Sequence, residues 1–114
     1  MASTACAIRP PAATGPTAAL GQIAIANGLK VRPFQLIEDS RCPINAACVW
    51  AGRLIVRTEV IGGSWRQTRD LELGKSQQIA DGTLVLISAQ PSRQAGIEID
   101  PHSYRFTFDF QGVI

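Results

Sequence analysis

The chain of 114 residues has few charges, a single histidine, three cysteines and no long hydrophobic run. Its net charge is +2 and its arginines are scattered, so we expect no nucleic-acid partner. The longest apolar runs, such as residues 83–89, are far shorter than the roughly 20 residues of a transmembrane helix. One histidine and the cysteines supply too few ligands for a zinc site. We therefore predict no metal, no cofactor and no membrane-spanning segment.

The chain also lacks a helical hydrophobic stripe, and its apolar residues recur with a period of two between turn residues. We predict strands at 22–25, 29–39, 48–61, 64–73 and 83–89, with a short extended piece at 97–99 and a last strand at 104–111. In that last strand Tyr104, Phe106, Phe108 and Phe110 alternate with polar residues, which predicts a core face. In the strand at 29–39 the apolar residues change from odd to even positions at Pro33, which predicts a bulge there.

Six or seven short strands favour an all-β, antiparallel β-sandwich of the immunoglobulin-like kind, with a small barrel as the alternative. The predicted domains are a flexible, proline-rich leader at 1–18 and one β-sandwich at 19–114. Trp50 follows Cys48 by two residues in the predicted strand. We expect it to be buried against the disulfide, with an exposed sugar-stacking platform as the other possibility.

Cys42 and Cys48 are separated by five residues, and we predict that they form a disulfide, which indicates an oxidising compartment. Two free thiols in a cytosolic protein are the alternative. Cys6 is then unpaired. It follows small residues in a stretch that resembles the cleavage region of a bacterial lipoprotein precursor, although Ser3 stands where leucine is usual. We expect Cys6 to be a lipid anchor; an ordinary secretory cleavage or a free thiol are the alternatives.

The segment EDSRCP at 38–43, followed by four variable residues and then by CVWAG at 48–52, resembles a motif of uncharacterised bacterial secreted proteins and lipoproteins. The strand at 83–86, Pro91 and the segment HSYR at 102–105 are similar as well. The resemblance covers most of residues 20–110. It implies a β fold and a protein exported to the periplasm or attached to the outer membrane. It implies no activity, because none is established for that group.

Two regions are candidate binding sites. The loop at 43–47, with Ile44 and Asn45, is closed by the predicted disulfide and is therefore rigid. A basic stripe of arginines on neighbouring strands is the other candidate, unless nearby carboxylates neutralise it. That stripe comprises Arg53, Arg57, Arg66 and Arg69.

Arg41, beside the disulfide, is a further candidate binding residue. Its neighbours Glu38 and Asp39 either form a paired-carboxylate or cation site or, as we favour, are structural partners of Arg41. Asp100, His102 and Ser103 are too close in sequence to form a catalytic triad, and we expect His102 in an exposed turn.

These observations favour a non-catalytic domain of the cell envelope that binds a protein or a glycan. A small protease-inhibitor-like module acting through residues 43–47 is the first alternative. A small hydrolase or metal-dependent enzyme using Glu38, Asp39 and His102 is the second.

Overall fold

The structure, a computed structural model, describes residues 15–80 and 82–112, and in these it contains β-strands and a single 3-10 turn but no α-helix. The strands are β1 (Thr17–Ala18), β2 (Ala24–Ala26), β3 (Leu29–Asp39), β4 (Leu54–Ile61), β5 (Arg66–Glu72), β6 (Ser76–Ile79), β7 (Gly82–Gln90) and β8 (Arg105–Gly112). The 3-10 turn spans Pro101–Ser103.

The strands form two antiparallel sheets of four, which are not closed into a barrel. The first sheet has the order β1-β8-β7-β6 and the second the order β2-β3-β4-β5. The predicted all-β sandwich is confirmed. Two short strands that the periodicity did not define, β1 and β6, bring the described strands to eight.

Every neighbouring pair except β1–β8 joins strands that are consecutive in the chain. This is a meander rather than the Greek key that gives immunoglobulin domains their strand order. The reason is local, because hairpins such as β2–β3, with its turn at Asn27–Gly28, return the chain directly onto the preceding strand.

The core lies between the sheets and comes from the strict alternation of the strands. In β4 each even-numbered residue is buried and each odd-numbered one faces outward. The aromatic face of β8 is buried as predicted, with the rings of Tyr104 and Phe106 stacked at 5.5 Å. The largest fully buried side chains are Phe106, Phe108, Leu54, Leu71, Ile79, Leu84 and Leu86.

The predicted irregularity at Pro33 is also confirmed, because the register between β3 and β4 shifts between Pro33 and Gln35. A second shift lies between Leu36 and Glu38. Phe34 and Ile37 are the extra residues at these two shifts, and both remain partly exposed. The first bulge therefore returns the inward face to Leu36, which pairs with Val56, and the second brings Asp39 opposite the buried Leu54.

The two ends of the sandwich differ. At one, which we call the loop end, β3 leads to β4 and β7 leads to β8. The N-terminal strand pairs Ala18 with Phe106 and Thr17 with Thr107, so residues 15–17 run away from the loop end. The predicted leader boundary at residue 18 was wrong, because Thr17–Ala18 belongs to the first sheet; residues 1–14 lie outside the described part of the chain.

We predict that Phe106→Ala destabilises the fold by about 3–5 kcal/mol, since it removes a fully buried ring and leaves a cavity between the sheets. Urea unfolding monitored by circular dichroism measures the change. Phe34→Ala is the matched control. The Phe34 side chain is partly exposed at a bulge, so its removal should lower the free energy of unfolding far less. Equal losses in the two variants would contradict this placement of the core.

Candidate functional site

The β3–β4 hairpin continues past its last paired residues into a disulfide-closed tip. The Ser40 amide donates to the Arg53 carbonyl at 2.8 Å, and the Cys42 amide donates to the Ala51 carbonyl at 3.0 Å. Cys42 and Cys48 are bonded to each other, with Cα atoms 5.9 Å apart. The predicted disulfide is therefore present in the structure.

The predicted strand at 48–61 was wrong in its first part, because β4 begins only at Leu54. Cys48 is tied back to Cys42, and Gly52 takes a left-handed conformation with φ +72°. A Cβ atom at Gly52 would lie 1.8 Å from the Ser40 carbonyl oxygen, so only glycine fits there. Under these two constraints residues 48–53 leave the regular strand, and the backbone hydrogen bonds to the Arg53 and Ala51 carbonyls are what remains of the ladder there.

A second loop, residues 91–97, supports the tip from the other sheet. The Ile44 amide donates to the Arg93 carbonyl at 2.9 Å, and Asn45 Oδ1 accepts from the Ala95 amide at 2.8 Å. Asn45, a predicted binding residue, therefore uses its carbonyl oxygen within the fold. The predicted extended piece at 97–99 does not form a strand; Ile97 makes only an isolated bridge with Gln94.

Below the tip, Asp39 and Arg41 form a charged network that joins the two sheets. Arg41 Nε lies 2.8 Å from Asp39 Oδ1, and its Nη2 lies 2.9 Å from Oδ2. The same guanidinium donates to the Ala89 carbonyl at 3.1 Å and to the Pro91 carbonyl at 3.0 Å. Tyr104 donates its hydroxyl to Asp39 Oδ2 at 2.6 Å. The structural interpretation of Asp39 and Arg41 is thus the one that the geometry supports.

This environment shifts the pKa values of the groups involved. Burial raises the pKa of the Asp39 carboxyl, but the hydrogen bonds from Arg41 and Tyr104 and the charge of Arg41 outweigh it, so the pKa is lowered. Burial, together with the hydrogen bond to Asp39 and its negative charge, raises the pKa of Tyr104 to about 12. Asp39 therefore stays ionised and Tyr104 stays protonated over the whole neutral range.

The tip carries exposed hydrophobic side chains. Trp50 is 81% exposed and Val49 is 89% exposed, so the expected burial of Trp50 against the disulfide was wrong. The turn at Gly52 and the departure of residues 48–53 from the ladder leave it outside the core. Ile44 is 67% exposed and Ile97 is 59% exposed, and they lie on the two loops that are joined by hydrogen bonds. We call these four side chains the tip surface.

The arginine stripe is neutralised on its own face. Arg57 lies 2.8 Å from Asp70, and Arg66 lies 3.0 Å from Glu59. Arg53 lies 3.0 Å from Glu38, at the base of the tip. Arg69 belongs to the opposite face of β5, where it bonds Gln67 and Gln77. Period-two geometry separates Arg69 from Arg66, which the sequence pattern had grouped with it.

The remaining predicted residues do not form a reaction centre in the described part of the chain. His102 lies exposed in the 3-10 turn, as expected, where its amide donates to Asp100 Oδ1 at 2.9 Å. Ser103 donates its hydroxyl to the Asp100 carbonyl at 2.7 Å. Within residues 15–80 and 82–112 no group of three or more histidine, cysteine or acidic residues is placed to hold a metal ion.

Comparison with known proteins yields no relative: no protein-family model, curated protein or solved structure matches this chain. The described residues also contain no helix with the length and hydrophobicity needed to cross a membrane. The site is therefore interpreted from its own geometry.

We predict that the only tyrosine in the chain titrates at a pKa of about 12 in the native state, against about 10 when unfolded. Because the pKa of Tyr104 is higher in the folded state than in the unfolded state, protonated Tyr104 contributes to the stability of the fold. This contribution is complete below pH 10 and is lost as the pH rises toward 12. Tyrosinate absorbance measures the pKa. In Tyr104→Phe the free energy of unfolding should no longer show this decrease between pH 10 and 12. A native value near 10 would contradict the hydrogen bond to Asp39.

We predict that Cys42→Ser destabilises the domain by about 2 kcal/mol, the low end of the usual range, because the bridge closes a short loop outside the core. Thermal unfolding with and without reductant measures the loss. Ala47→Ser is the control, since it places a serine in the same exposed loop without breaking the bridge. A wild-type midpoint that does not change with reductant would refute the disulfide.

Proposed function

We propose that this chain is a non-catalytic interaction domain of the cell envelope, and that the tip surface is its recognition site. The observation that carries this proposal is the exposure of Trp50 and Val49 on a covalently closed hairpin tip. Exposed apolar side chains that cluster on one part of a small domain mark interaction sites, whereas single scattered ones do not. Tryptophan is also among the residues that contribute most to binding energy at protein interfaces.

The tip is built to hold these side chains in place before a partner arrives. The disulfide closes one loop. This loop is attached to the other because the Ile44 amide donates to the Arg93 carbonyl and Asn45 Oδ1 accepts from the Ala95 amide. Arg41 ties the base of the tip to the end of β7. A surface that is already ordered loses little conformational entropy on binding, which favours recognition by this end of the molecule.

The protease-inhibitor alternative receives less support from the loop geometry. Residues 43–46 form a tight turn, in which the Ala46 amide donates to the Pro43 carbonyl at 3.2 Å. A segment that binds by strand addition must present an extended backbone, which this turn does not offer.

The enzymatic alternative requires free carboxylates, but Asp39 is engaged by Arg41 and Tyr104. Glu38 is held by Ser40 and Arg53. His102, the third residue of the hypothetical active site, lies on a separate turn.

For its location, we propose export to the periplasm or attachment to the outer membrane through a lipid on Cys6, as in the secreted and lipoprotein group whose motif this chain resembles. A disulfide between Cys42 and Cys48 fits an oxidising compartment. Cys6 itself lies outside the described residues.

We predict that a photo-crosslinking amino acid at Val49, in the full chain expressed in its own host, forms a reproducible adduct. The same amino acid at Thr68, which is exposed on the outer face of β5, should form none. Gel electrophoresis and mass spectrometry of the irradiated cells identify the adduct and its chemical class.

Trp50→Ala in the Val49 crosslinking variant should abolish the adduct. It should leave the free energy of unfolding within about 0.5 kcal/mol of its parent, because the side chain lies outside the core. Equal labelling from Val49 and Thr68, or an adduct that survives the loss of Trp50, would remove the tip surface as the recognition site.

A further inference from the structure

We infer that the partner of the tip surface is a separate protein with an apolar pocket that receives Trp50 and Val49. This inference rests on the proposed function and names the chemical class of the partner. It follows from four features of the loop end: the uncharged tip, the paired charges at its base, the direction of residues 15–18, and the small area that the four exposed side chains offer.

The first feature is the composition of the tip. Residues 42–52 contain no charged side chain, and Asn45 is the only one among them with an amide group. The Asn45 carbonyl oxygen already accepts from the Ala95 amide. A glycan stacked on Trp50 would bury hydroxyl groups that need hydrogen-bond partners, and residues 46–52 offer almost none. The tip therefore suits an apolar contact rather than a sugar.

The second feature is the base of the tip, where both flanking arginines are paired. Arg41 lies 2.8 Å from Asp39, and Arg53 lies 3.0 Å from Glu38. Peripheral binding to a bilayer draws on attraction to anionic lipid. Of the arginines beside the tip, Arg41 and Arg53 are neutralised by carboxylates, and Arg93 donates to the Arg41 carbonyl. An apolar centre with a rim that carries both signs of charge is instead the anatomy of a protein interface.

The third feature concerns the chain's own N-terminal segment. Residues 15–18 run along β8 away from the loop end, because Thr17 pairs with Thr107 and Ala18 with Phe106. These four residues therefore do not cover the tip surface.

The fourth feature is area, which argues against a second copy of the chain. Two copies that met tip to tip would share little more than the four exposed side chains. A tryptophan contributes at most about 250 Å², and a stable interface needs about 800 Å² from each partner. A pocket that encloses the tip also reaches its charged base and the 91–97 loop, which increases the area.

The test is a phage-displayed random peptide library panned on the full, oxidised chain, with Trp50→Ala used for counter-selection. We expect enriched apolar peptides that bind the wild-type chain and bind Trp50→Ala at least about tenfold more weakly, as loss of a central anchor requires. Val49→Ala should weaken the same peptides. Ile25→Ala is the matched control, since it removes an exposed isoleucine from β2, outside the tip surface, and should leave affinity unchanged.

Two further measurements examine the competing occupants. The fluorescence of Trp50, read in a Trp65→Phe background, is followed with vesicles of phosphatidylcholine and phosphatidylglycerol. Sedimentation measures self-association. A Trp50-dependent shift on vesicles, a dimer lost in Trp50→Ala, or the absence of any Trp50-dependent peptide would overturn the protein pocket. If crosslinking at Val49 still succeeds in those cases, the proposed recognition site stands and only the partner class is wrong.

Discussion

The bidentate ion pair between Asp39 and Arg41 is the interaction on which the loop end depends. The pair lies where β3 leaves its ladder. The Arg41 guanidinium also donates hydrogen bonds to two carbonyl groups at the end of β7, those of Ala89 and Pro91. Asp39 in turn accepts the hydroxyl of Tyr104 at the start of β8. Breaking one member would leave the others partly buried and unpaired, so the network acts as a unit. Both loops of the tip take their positions from it.

The tip surface carries Val49 and Trp50, the two most exposed large hydrophobic side chains in the described part of the chain. Elsewhere, exposed apolar side chains such as Phe34 and Ile37 are the extra residues at strand bulges, and their exposure follows from the local register. Trp50 and Val49 lie instead on a segment whose ends are fixed by the disulfide and by Gly52. Their exposure follows from the departure of this segment from the ladder and not from a bulge within a strand. Its combination with fixed segment ends is the physical reason for proposing them as the recognition site.

The meander topology places both long connections at one end of the sandwich, the end for which we propose recognition. Short hairpins place consecutive strands side by side and bury one face of each strand in a common core. The two long connections, residues 40–53 and 91–104, both lie at the loop end, where they can pack against each other without affecting the core. The outer face of the second sheet carries cross-strand ion pairs such as Arg57–Asp70, which favour a solvated surface.

The sequence alone determined the β class, the aromatic core face of β8, the bulge at Pro33 and the Cys42–Cys48 bridge, because each follows from a local pattern of period, proline or cysteine spacing. It also indicated that Arg41 pairs with a neighbouring carboxylate. It could not determine where Trp50 points, since parity in a strand has meaning only while the strand continues, and β4 begins after Trp50. The partners of Tyr104 and the joining of the two loops were decided by the tertiary structure alone, because residues 65 and 50 positions apart meet there only after the sheets have packed.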